Sequence, residues 1–334
     1  MPVTAYAAFE KGHKLDTFSY DPKPLGAYDI EITISHCGVC HSDLHLIDND
    51  WGFSKYPLVP GHEIIGKITL KGSSVSHLKI GDRVGVGWQR SSCLECEWCL
   101  KGDENLCSRQ EATCVGHFGG FAKQVRVDSR FAFKIPENLD SEKASPLMCG
   151  GITVYSPLRV FGVNASHRVG VLGVGGLGHL AIQFAKAMGT EVTAFTTNPE
   201  KKEELKTLGA NSVVITSDKH ELRKCHQSLD IIISTVFVNL DFAKYLQYLR
   251  PNGKLVFVGV PSEPLQIPPV ALLDGRKSIS GSPIGGRALI QEMLTFSERH
   301  NISAMTEVFS LDDVNHAIEK VRKNQVRYRA VLVA

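Results

Sequence analysis

The sequence predicts an α/β protein in which a mainly β part is followed by a parallel sheet flanked by helices. Up to about residue 150, short β-prone runs such as Ile30–Ile34, Ile64–Leu70 and Arg83–Val86 are separated by glycine and proline. Beyond that point, short apolar runs alternate with helical patterns, which is typical of βαβ units. Because 334 residues exceed one ordinary core, we expect about two domains.

The second part of the chain contains the clearest strand and helix patterns. Its predicted strands are Val169–Leu172, Glu191–Phe195, Ser212–Ile215, Asp230–Ser234 and Lys254–Val258. Helices are predicted between the first three of them, at Gly176–Met188 and Lys201–Leu208. From about Leu289 the chain shows two more helical patterns and ends in a strand, Ala330–Val333. Strands and helices that alternate at this spacing predict a parallel sheet.

Composition and charge exclude several classes of function. A hydrophobic content of 43% and a charged content of 22% are typical of a globular protein. The formal net charge of +2, without a basic stripe or an acidic tail, predicts no nucleic-acid or membrane partner. The sequence shows no signal-peptide pattern and no apolar run of about 18 residues or more, so a cytoplasmic location is the default expectation.

Four of the nine cysteines lie on one short segment, Cys93-x-x-Cys96-x-x-Cys99-x7-Cys107. Four thiolates on one loop can close a tetrahedron around Zn²⁺ and leave no open position, so the spacing predicts a structural zinc site. Free surface cysteines and an iron–sulfur cluster are the alternatives. The intervening residues are not basic, which argues against a nucleic-acid-binding zinc ribbon.

A second set of possible metal ligands is scattered along the chain. Cys37 and Cys40 follow the strand at Ile30–Ser35, His62 comes about twenty residues later, and Cys149 follows much later. From these residues alone, the two cysteines could form a redox pair and the histidine could be a buried structural residue.

A glycine-rich turn lies between the first predicted strand and helix of the second part. The pattern Gly173-x-Gly175-Gly176-x-Gly178 in this context predicts a dinucleotide site. The next strand ends in Thr196-Thr197-Asn198 and is followed by Lys201 and Lys202, with no acid at the strand end. NAD sites usually carry an acid there, whereas a 2′-phosphate favours hydroxyls, amides and cations. The sequence therefore predicts NADP(H).

Taken together, these motifs resemble the zinc-containing alcohol dehydrogenases of the medium-chain dehydrogenase/reductase superfamily. The cinnamyl-alcohol-dehydrogenase-like, NADP-linked aldehyde reductases are the most similar branch. The resemblance covers essentially the whole chain, and its motifs are Cys40-His41-Ser42-Asp43-Leu44-His45, Gly61-His62-Glu63, the four-cysteine segment, Pro146-Leu147-Met148-Cys149, the glycine turn and Asn324-x-Val326-Arg327-Tyr328-Arg329.

The resemblance implies roles for particular residues. Cys40, His62 and Cys149 match the three protein ligands of a catalytic zinc, with Glu63 as a possible transient ligand and Asp43 as a carboxylate that orients a ligand. Cys37 matches no ligand and is interpreted as a buried thiol. Ser42 and His45 match the relay that carries a proton between the substrate oxygen and solvent, while the zinc polarises that oxygen.

The resemblance also implies sets of residues around the cofactor and the substrate. The cofactor set is His41, Ser42, Thr153, Gly173, Gly175, Gly176, Leu177, Gly178, Thr196, Thr197, Asn198, Lys201, Thr235, Gly259, Val260, Ser282, Ile284 and Arg329. The substrate set, bulky and apolar, is Trp51, Phe53, Trp88, Leu272, Leu273 and Pro283. Such a pocket favours aromatic or medium-chain aliphatic aldehydes.

The implied architecture is a GroES-like catalytic domain, residues 1–149 and 286–334, and a Rossmann cofactor domain, residues 150–285. The implied function is hydride transfer between NADPH and aldehydes or primary alcohols, with two zinc ions per chain and a homodimer formed through the cofactor domains. An NAD-linked polyol or simple alcohol dehydrogenase on the same fold is the alternative enzyme. A non-catalytic zinc-binding protein is the alternative outside enzymes, although the complete ligand and relay set disfavours it.

Overall fold

The computed structural model describes residues 2–334, which form two compact units. One unit comprises the chain up to Ile152 together with Gly285–Ala334, and the other comprises Thr153–Ile284. No helix of the described residues is long and apolar enough to cross a membrane.

The first unit is mainly β, as the Gly- and Pro-punctuated runs predict. Its strands before residue 150 are β1 (Val3–Ala7), β2 (Asp16–Tyr20), β3 (Asp29–Val39), β4 (Glu63–Lys71), β5 (Arg83–Val86), β6 (Gln89–Ser91), β7 (Glu111–Ala112), β8 (Gln124–Asp128) and β9 (Ala132–Lys134). Its short helices there are α1 (His41–Ile47), α2 (Glu97–Lys101) and α3 (Ser141–Ala144). Helix α4 (Gly150–Val160) leads into the second unit.

The second unit alternates strands and helices. Its strands are β10 (Arg168–Leu172), β11 (Glu191–Thr196), β12 (Ser212–Ile215), β13 (Leu229–Ser234), β14 (Leu249–Phe257) and β15 (Ser278–Gly281). Its helices are α5 (Gly178–Ala187), α6 (Lys202–Thr207), α7 (Lys219–Lys224), α8 (Phe242–Leu246) and α9 (Val270–Leu273). The chain then returns to the first unit with α10 (Arg287–His300), β16 (Thr306–Ser310), α11 (Val314–Arg322) and β17 (Arg329–Val333).

The sheet of the first unit has the order β16-β17-β3-β4-β5-β9, and β8 also pairs with β3. In the antiparallel pairing of β3 with β4, Gly38 lies opposite Glu63. In the pairing of β17 with β3, Ala330 lies opposite Val39. The end of β3, the start of β4 and the start of β17 therefore meet at one place in the sheet.

The sheet of the second unit is parallel throughout, with the order β12-β11-β10-β13-β14-β15. This is the doubly wound order in which the first strand lies in the middle of the sheet. Strand β10 is buried along Val169–Leu172, as expected for a strand whose two faces are both covered. The α/β fold class predicted from the sequence is confirmed.

The predicted start of one strand, β14, is several residues too late. Strand β14 starts at Leu249 rather than Lys254, because the Pro251–Gly253 segment lies in an irregularity where its pairing with β13 shifts register. Asn252 has a left-handed φ of 66° there. The pattern Pro-Asn-Gly is typical of a turn, which hid the continuation of the strand.

Candidate active site and metal centres

Four buried side chains meet where β3 ends and β4 begins. Cys40 follows β3 and caps helix α1, His62 and Glu63 open β4, and Cys149 follows a 3-10 turn at Ser145–Met148. The ligand atoms of these four residues all lie within 4.8 Å of one another. Their exposure ranges from 0% to 8%, so the cluster is shielded from solvent.

Asp43 holds two parts of this cluster together. Its Oδ2 accepts from the backbone N–H of Cys40 at 2.9 Å. Its Oδ1 accepts from the N–H of Gly61 at 2.8 Å and pairs with Nδ1 of His62 at 3.0 Å. A fully buried carboxylate with these three partners fixes the orientation of the His62 ring and leaves Nε2 available to a metal ion.

The donor set fits a zinc ion. His62 Nε2 and Glu63 Oε2 are buried and form no hydrogen bond with any described residue. A hydrogen bond from the Cys149 thiol holds the pKa of Cys40 well below its usual value, and the same bond raises the pKa of Cys149. Two sulfurs, one imidazole nitrogen and a nearby carboxylate are the ligands that zinc prefers. Cys37, 1% exposed, lies outside this ligand group with its Sγ 3.7 Å from the carbonyl of Gly38.

Glu63 also contacts Arg329, which the last strand brings into the cluster. Nη2 of Arg329 donates to Oε1 of Glu63, and both side chains are at most 5% exposed. Burial raises the pKa of Glu63 to about 7, although the Arg329 cation acts in the opposite direction. Burial alone would lower the pKa of Arg329, but the Glu63 carboxylate and the charges of Cys40 and Cys149 together outweigh it, and the pKa is raised. Gly38 leaves room for this carboxylate, since a Cβ there would lie 2.0 Å from Oε2.

The second cluster consists of Cys93, Cys96, Cys99 and Cys107, whose sulfurs lie within 4.8 Å of one another. Three Sγ–Sγ distances are 3.5, 3.6 and 3.8 Å. A tetrahedron with Zn–S bonds of about 2.3 Å has edges of about 3.8 Å, so this spacing fits zinc. The backbone N–H groups of Glu95 and Cys96 donate to Cys93 and lower its pKa to about 6. Burial raises the pKa of Cys99 to about 11, so metal binding at this loop would release protons from the thiols.

In the second unit, the predicted cofactor residues follow the carboxyl ends of the parallel strands. Gly173 follows β10, Thr235 follows β13, Gly259 comes shortly after β14, and Ser282 follows β15. Thr235 Oγ1 donates to the carbonyl of Gly173 at 2.9 Å, which ties two of these ends together. Doubly wound sheets bind nucleotides at this edge.

The glycine turn requires at least two of its glycines. Gly173 has φ +86°, a conformation that favours glycine. A Cβ on Gly178 would lie 2.1 Å from the carbonyl oxygen of Gly173, so a side chain would push helix α5 away from the turn. Around Gly175, no atom lies within 4 Å of the position that a Cβ would take, and the backbone there is open to a pyrophosphate.

Contacts within the protein distinguish the residues at the end of β11 that could meet a cofactor phosphate. Thr196 is 6% exposed and its Oγ1 accepts from the N–H of Asn198 at 3.2 Å. Lys202 is paired with Glu221 at 2.7 Å. Lys201 instead extends to the carbonyl of Val174 in the glycine turn, at 3.1 Å. Of the two lysines, Lys201 is therefore the one placed beside the turn.

Comparison with known proteins identifies the family. The description "Alcohol dehydrogenase GroES-like domain" matches residues 26–137, and "Zinc-binding dehydrogenase" matches residues 176–299. An "Aldehyde reductase AdhA" from Synechocystis is 46% identical over 99% of this chain and 98% of its own length. The chain belongs to the zinc-binding alcohol dehydrogenases. The dehydrogenase is thus an enzyme of the family that the sequence motifs resemble.

Two further proteins are similar to the dehydrogenase over nearly their whole length. A "Probable mannitol dehydrogenase" from Fragaria ananassa is 44% identical over 99% of this chain and 94% of its own length. A cinnamyl alcohol dehydrogenase from Helicobacter pylori, solved as a complex with NADP(H), has a TM-score of 0.92 and 33% identity, covering 100% of this chain and 99% of that chain.

The structure adds a partner to the predicted proton relay of the dehydrogenase. Ser42 and His45 both lie on α1, three residues apart and hence on one face. Nδ1 of His45 lies 2.7 Å from Oδ2 of Asp50, which sequence reasoning missed. Asp50 stands in a polar loop after α1, and nothing in its local sequence distinguishes it from other surface acids.

The predicted substrate residues are divided between the two units. In the first unit, the Trp88 ring lies edge-on to the His62 ring at 4.9 Å, and Trp51 lies 6.0 Å from Trp88. Phe53 stacks on Trp51 at 5.7 Å and is 47% exposed. These three rings form an aromatic wall beside the His62 cluster. The second unit contains the other three, Leu272, Leu273 and Pro283.

Proposed function

We propose that the dehydrogenase reduces aromatic or medium-chain aldehydes to primary alcohols with NADPH. The observation that carries the choice of cofactor is the end of β11, where Thr196, Thr197 and Asn198 stand instead of an acid and Lys201 extends to the glycine turn. The NADP(H) complex of the Helicobacter pylori relative and the name of the Synechocystis aldehyde reductase support it.

A zinc ion held by Cys40, His62 and Cys149 would act as a Lewis acid on the substrate oxygen, and NADPH would supply the hydride. The chain's own residues deal with the proton that aldehyde reduction consumes. The Asp50 carboxylate accepts from Nδ1 of His45, which leaves Nε2 to exchange a proton with solvent. The Ser42 hydroxyl can accept this proton from one side while donating its own on the other.

The residues around the cluster keep water out and hold its side chains in one orientation. Asp43 orients His62 and Cys40. The Trp88 ring packs edge-on against His62, and Trp51 contacts Trp88 in turn. Bulky apolar surface of this kind favours a hydrophobic aldehyde and offers no charged group to a carboxylate or phosphate. We propose that the four-cysteine loop binds the second zinc ion and has a structural role, because its four thiols leave no open position.

The test is the aldehyde-dependent oxidation of NADPH, followed by absorbance with a panel of aromatic and aliphatic aldehydes. We expect activity that is lost on chelation and restored by Zn²⁺. Activity that survives complete removal of zinc, or no turnover of any aldehyde, would contradict the proposal. Comparing mannitol and NAD⁺ in the reverse direction tests the polyol alternative that the Fragaria relative raises.

The cofactor is tested with Lys201→Ala. We expect kcat/KM with NADPH to fall about tenfold or more, since one charge-assisted phosphate contact is lost, while kcat/KM with NADH stays nearly unchanged. Lys206→Ala, which removes a surface lysine paired with Glu203, is the matched control. A wild-type preference for NADH would overturn the assignment.

We also infer a homodimer formed through the second unit. Strand β15 ends the parallel sheet and pairs only with β14 among the described strands, so its other edge is available to a second copy. Sedimentation analysis should give twice the chain mass of 36.6 kDa. A monomer at micromolar concentration would refute the dimer without affecting the proposed reaction.

A further inference from the structure

A cavity lies in the first unit, and its lining includes no member of the two clusters of possible zinc ligands. It has a volume of about 380 Å³, within the range of small-molecule sites. Its lining combines the aromatic side chains of Tyr20 and Phe118 with the guanidinium of Arg90. None of the residues that match the metal, relay or cofactor pattern lines it.

Arg90 is the unusual member of this lining. It is half-buried, and its only hydrogen bond among residues 2–334 runs from Nη2 to the carbonyl oxygen of Arg126, at 3.2 Å. A guanidinium has five N–H donors and needs an anion when it leaves water. Burial lowers the pKa of Arg90, and the charges of Glu111, Asp29 and Asp128 offset this only in part.

The carboxylates near Arg90 already have other partners. Glu31 accepts from Nε of Arg126 across the β3–β8 pair, at 2.8 Å. Asp128 is paired with Arg130, and Asp29 accepts from the N–H of Gly26 at 2.9 Å. Glu111 accepts from Ser91 at 2.9 Å. Arg90 is therefore left with unused donors beside the cavity, and its guanidinium forms no ion pair with a described residue.

The apolar side of the cavity selects the shape of the ligand. The rings of Tyr20 and Phe118 lie 4.4 Å apart, tilted by 48°, and Phe18 backs both of them. A flat ring could pack against this aromatic surface. Two further cations line the cavity, Lys23 and Arg126, and so do three carboxylates, Asp21, Asp29 and Glu31. Because these carboxylates outnumber the two cations, the lining disfavours a dianion such as phosphate. A planar carboxylate carries a single charge and matches the fork of an arginine through two parallel hydrogen bonds.

We propose that this cavity binds an aromatic monocarboxylate, with its carboxylate on Arg90 and its ring against Tyr20 and Phe118. The site is independent of the proposed reaction, because it shares no residue with the metal, relay or cofactor sets. The dehydrogenase would then hold two small-molecule sites of different chemistry, one for an uncharged aldehyde and one for an aromatic acid.

The probe is para-fluorobenzoate, titrated into the zinc-loaded enzyme and followed by fluorine NMR. We expect saturable binding that weakens about tenfold or more in Arg90→Gln, because charge-assisted hydrogen bonds to the carboxylate are lost. Arg130→Gln is the matched control, since Arg130 has its own carboxylate and does not line the cavity. The uncharged para-fluorobenzamide should bind at least tenfold more weakly than the acid.

Equal binding by the wild type and Arg90→Gln would overturn the proposal and assign the acid to another place, such as the proposed catalytic zinc. An amide that binds as tightly as the acid would overturn the role of the charge. If Arg90→Gln does not fold, Phe118→Leu carries the test, because it keeps the cation and removes the ring. Unchanged affinity in Phe118→Leu would then refute the aromatic surface.

Discussion

The buried carboxylate of Asp43 gives the sharpest quantitative test of the proposed catalytic zinc site. In Asp43→Asn, one of two oxygens becomes an NH₂ group that faces a backbone N–H, so at least one of three hydrogen bonds is lost. Those bonds measure 2.9, 2.8 and 3.0 Å. A lost bond to a charged group costs about 1.5–3 kcal/mol, and the remaining bonds lose their charge assistance.

The expected total is about 3–5 kcal/mol of stability, typical of breaking a buried charged network. Zinc affinity should fall about 10–100-fold, because the partner that orients His62 is lost. Competition with a chelator of known affinity, followed by atomic absorption, measures the second effect, and thermal unfolding follows the first. Asp140→Asn is the matched control, since that carboxylate is 75% exposed. A variant that keeps zinc within twofold of the wild type would refute the reasoning.

Three other substitutions test separate parts of the molecule. Cys99→Ser should leave one zinc per chain instead of two, counted by atomic absorption, whereas Cys225→Ser outside both clusters should leave two. Ser42→Ala should keep its zinc and lose most turnover, and a near-normal kcat would sink the relay. Glu104→Gln should lower the free energy of unfolding by about 3 kcal/mol, because the carboxylate is 2% exposed and accepts from Arg287 Nε at 2.7 Å. An unchanged melting temperature would contradict this.

Local patterns predicted much of the fold and of the candidate site. The four cysteines fall within residues 93–107, and the glycines of the turn fall within residues 173–178. Each motif is therefore set by one short segment of sequence and could be recognised from that segment alone. The parallel strands of the second unit could be predicted because each is a short apolar run between helical patterns. In the proposed catalytic cluster, spacing alone could not join Cys149 to Cys40 and His62, and only the family resemblance did so.

Contacts made by distant polar residues could not be predicted. The family resemblance suggested Arg329 for the cofactor, and that role stays a prediction. The hydrogen bond from its guanidinium to the carboxylate of Glu63 had no signal in the sequence. No sequence motif marks Asp50 as the partner of His45, or Arg90 as a cation that forms no ion pair. Whether such a residue is available to a ligand depends on which neighbouring charges already have partners. Those neighbours are brought together by the folded sheet and are distant in sequence.

The pairing of β17 with β3 sets an order for the assembly of the cluster during synthesis. Arg329 meets Glu63 across a separation of 266 residues, and the whole second unit is made in between. The four-cysteine loop spans only residues 93–107, so it would be able to bind the proposed structural zinc as soon as it leaves the ribosome. Ribosome-bound chains of increasing length should therefore bind zinc at the loop first. Equal early retention of zinc by the Cys40 cluster would refute this order of maturation.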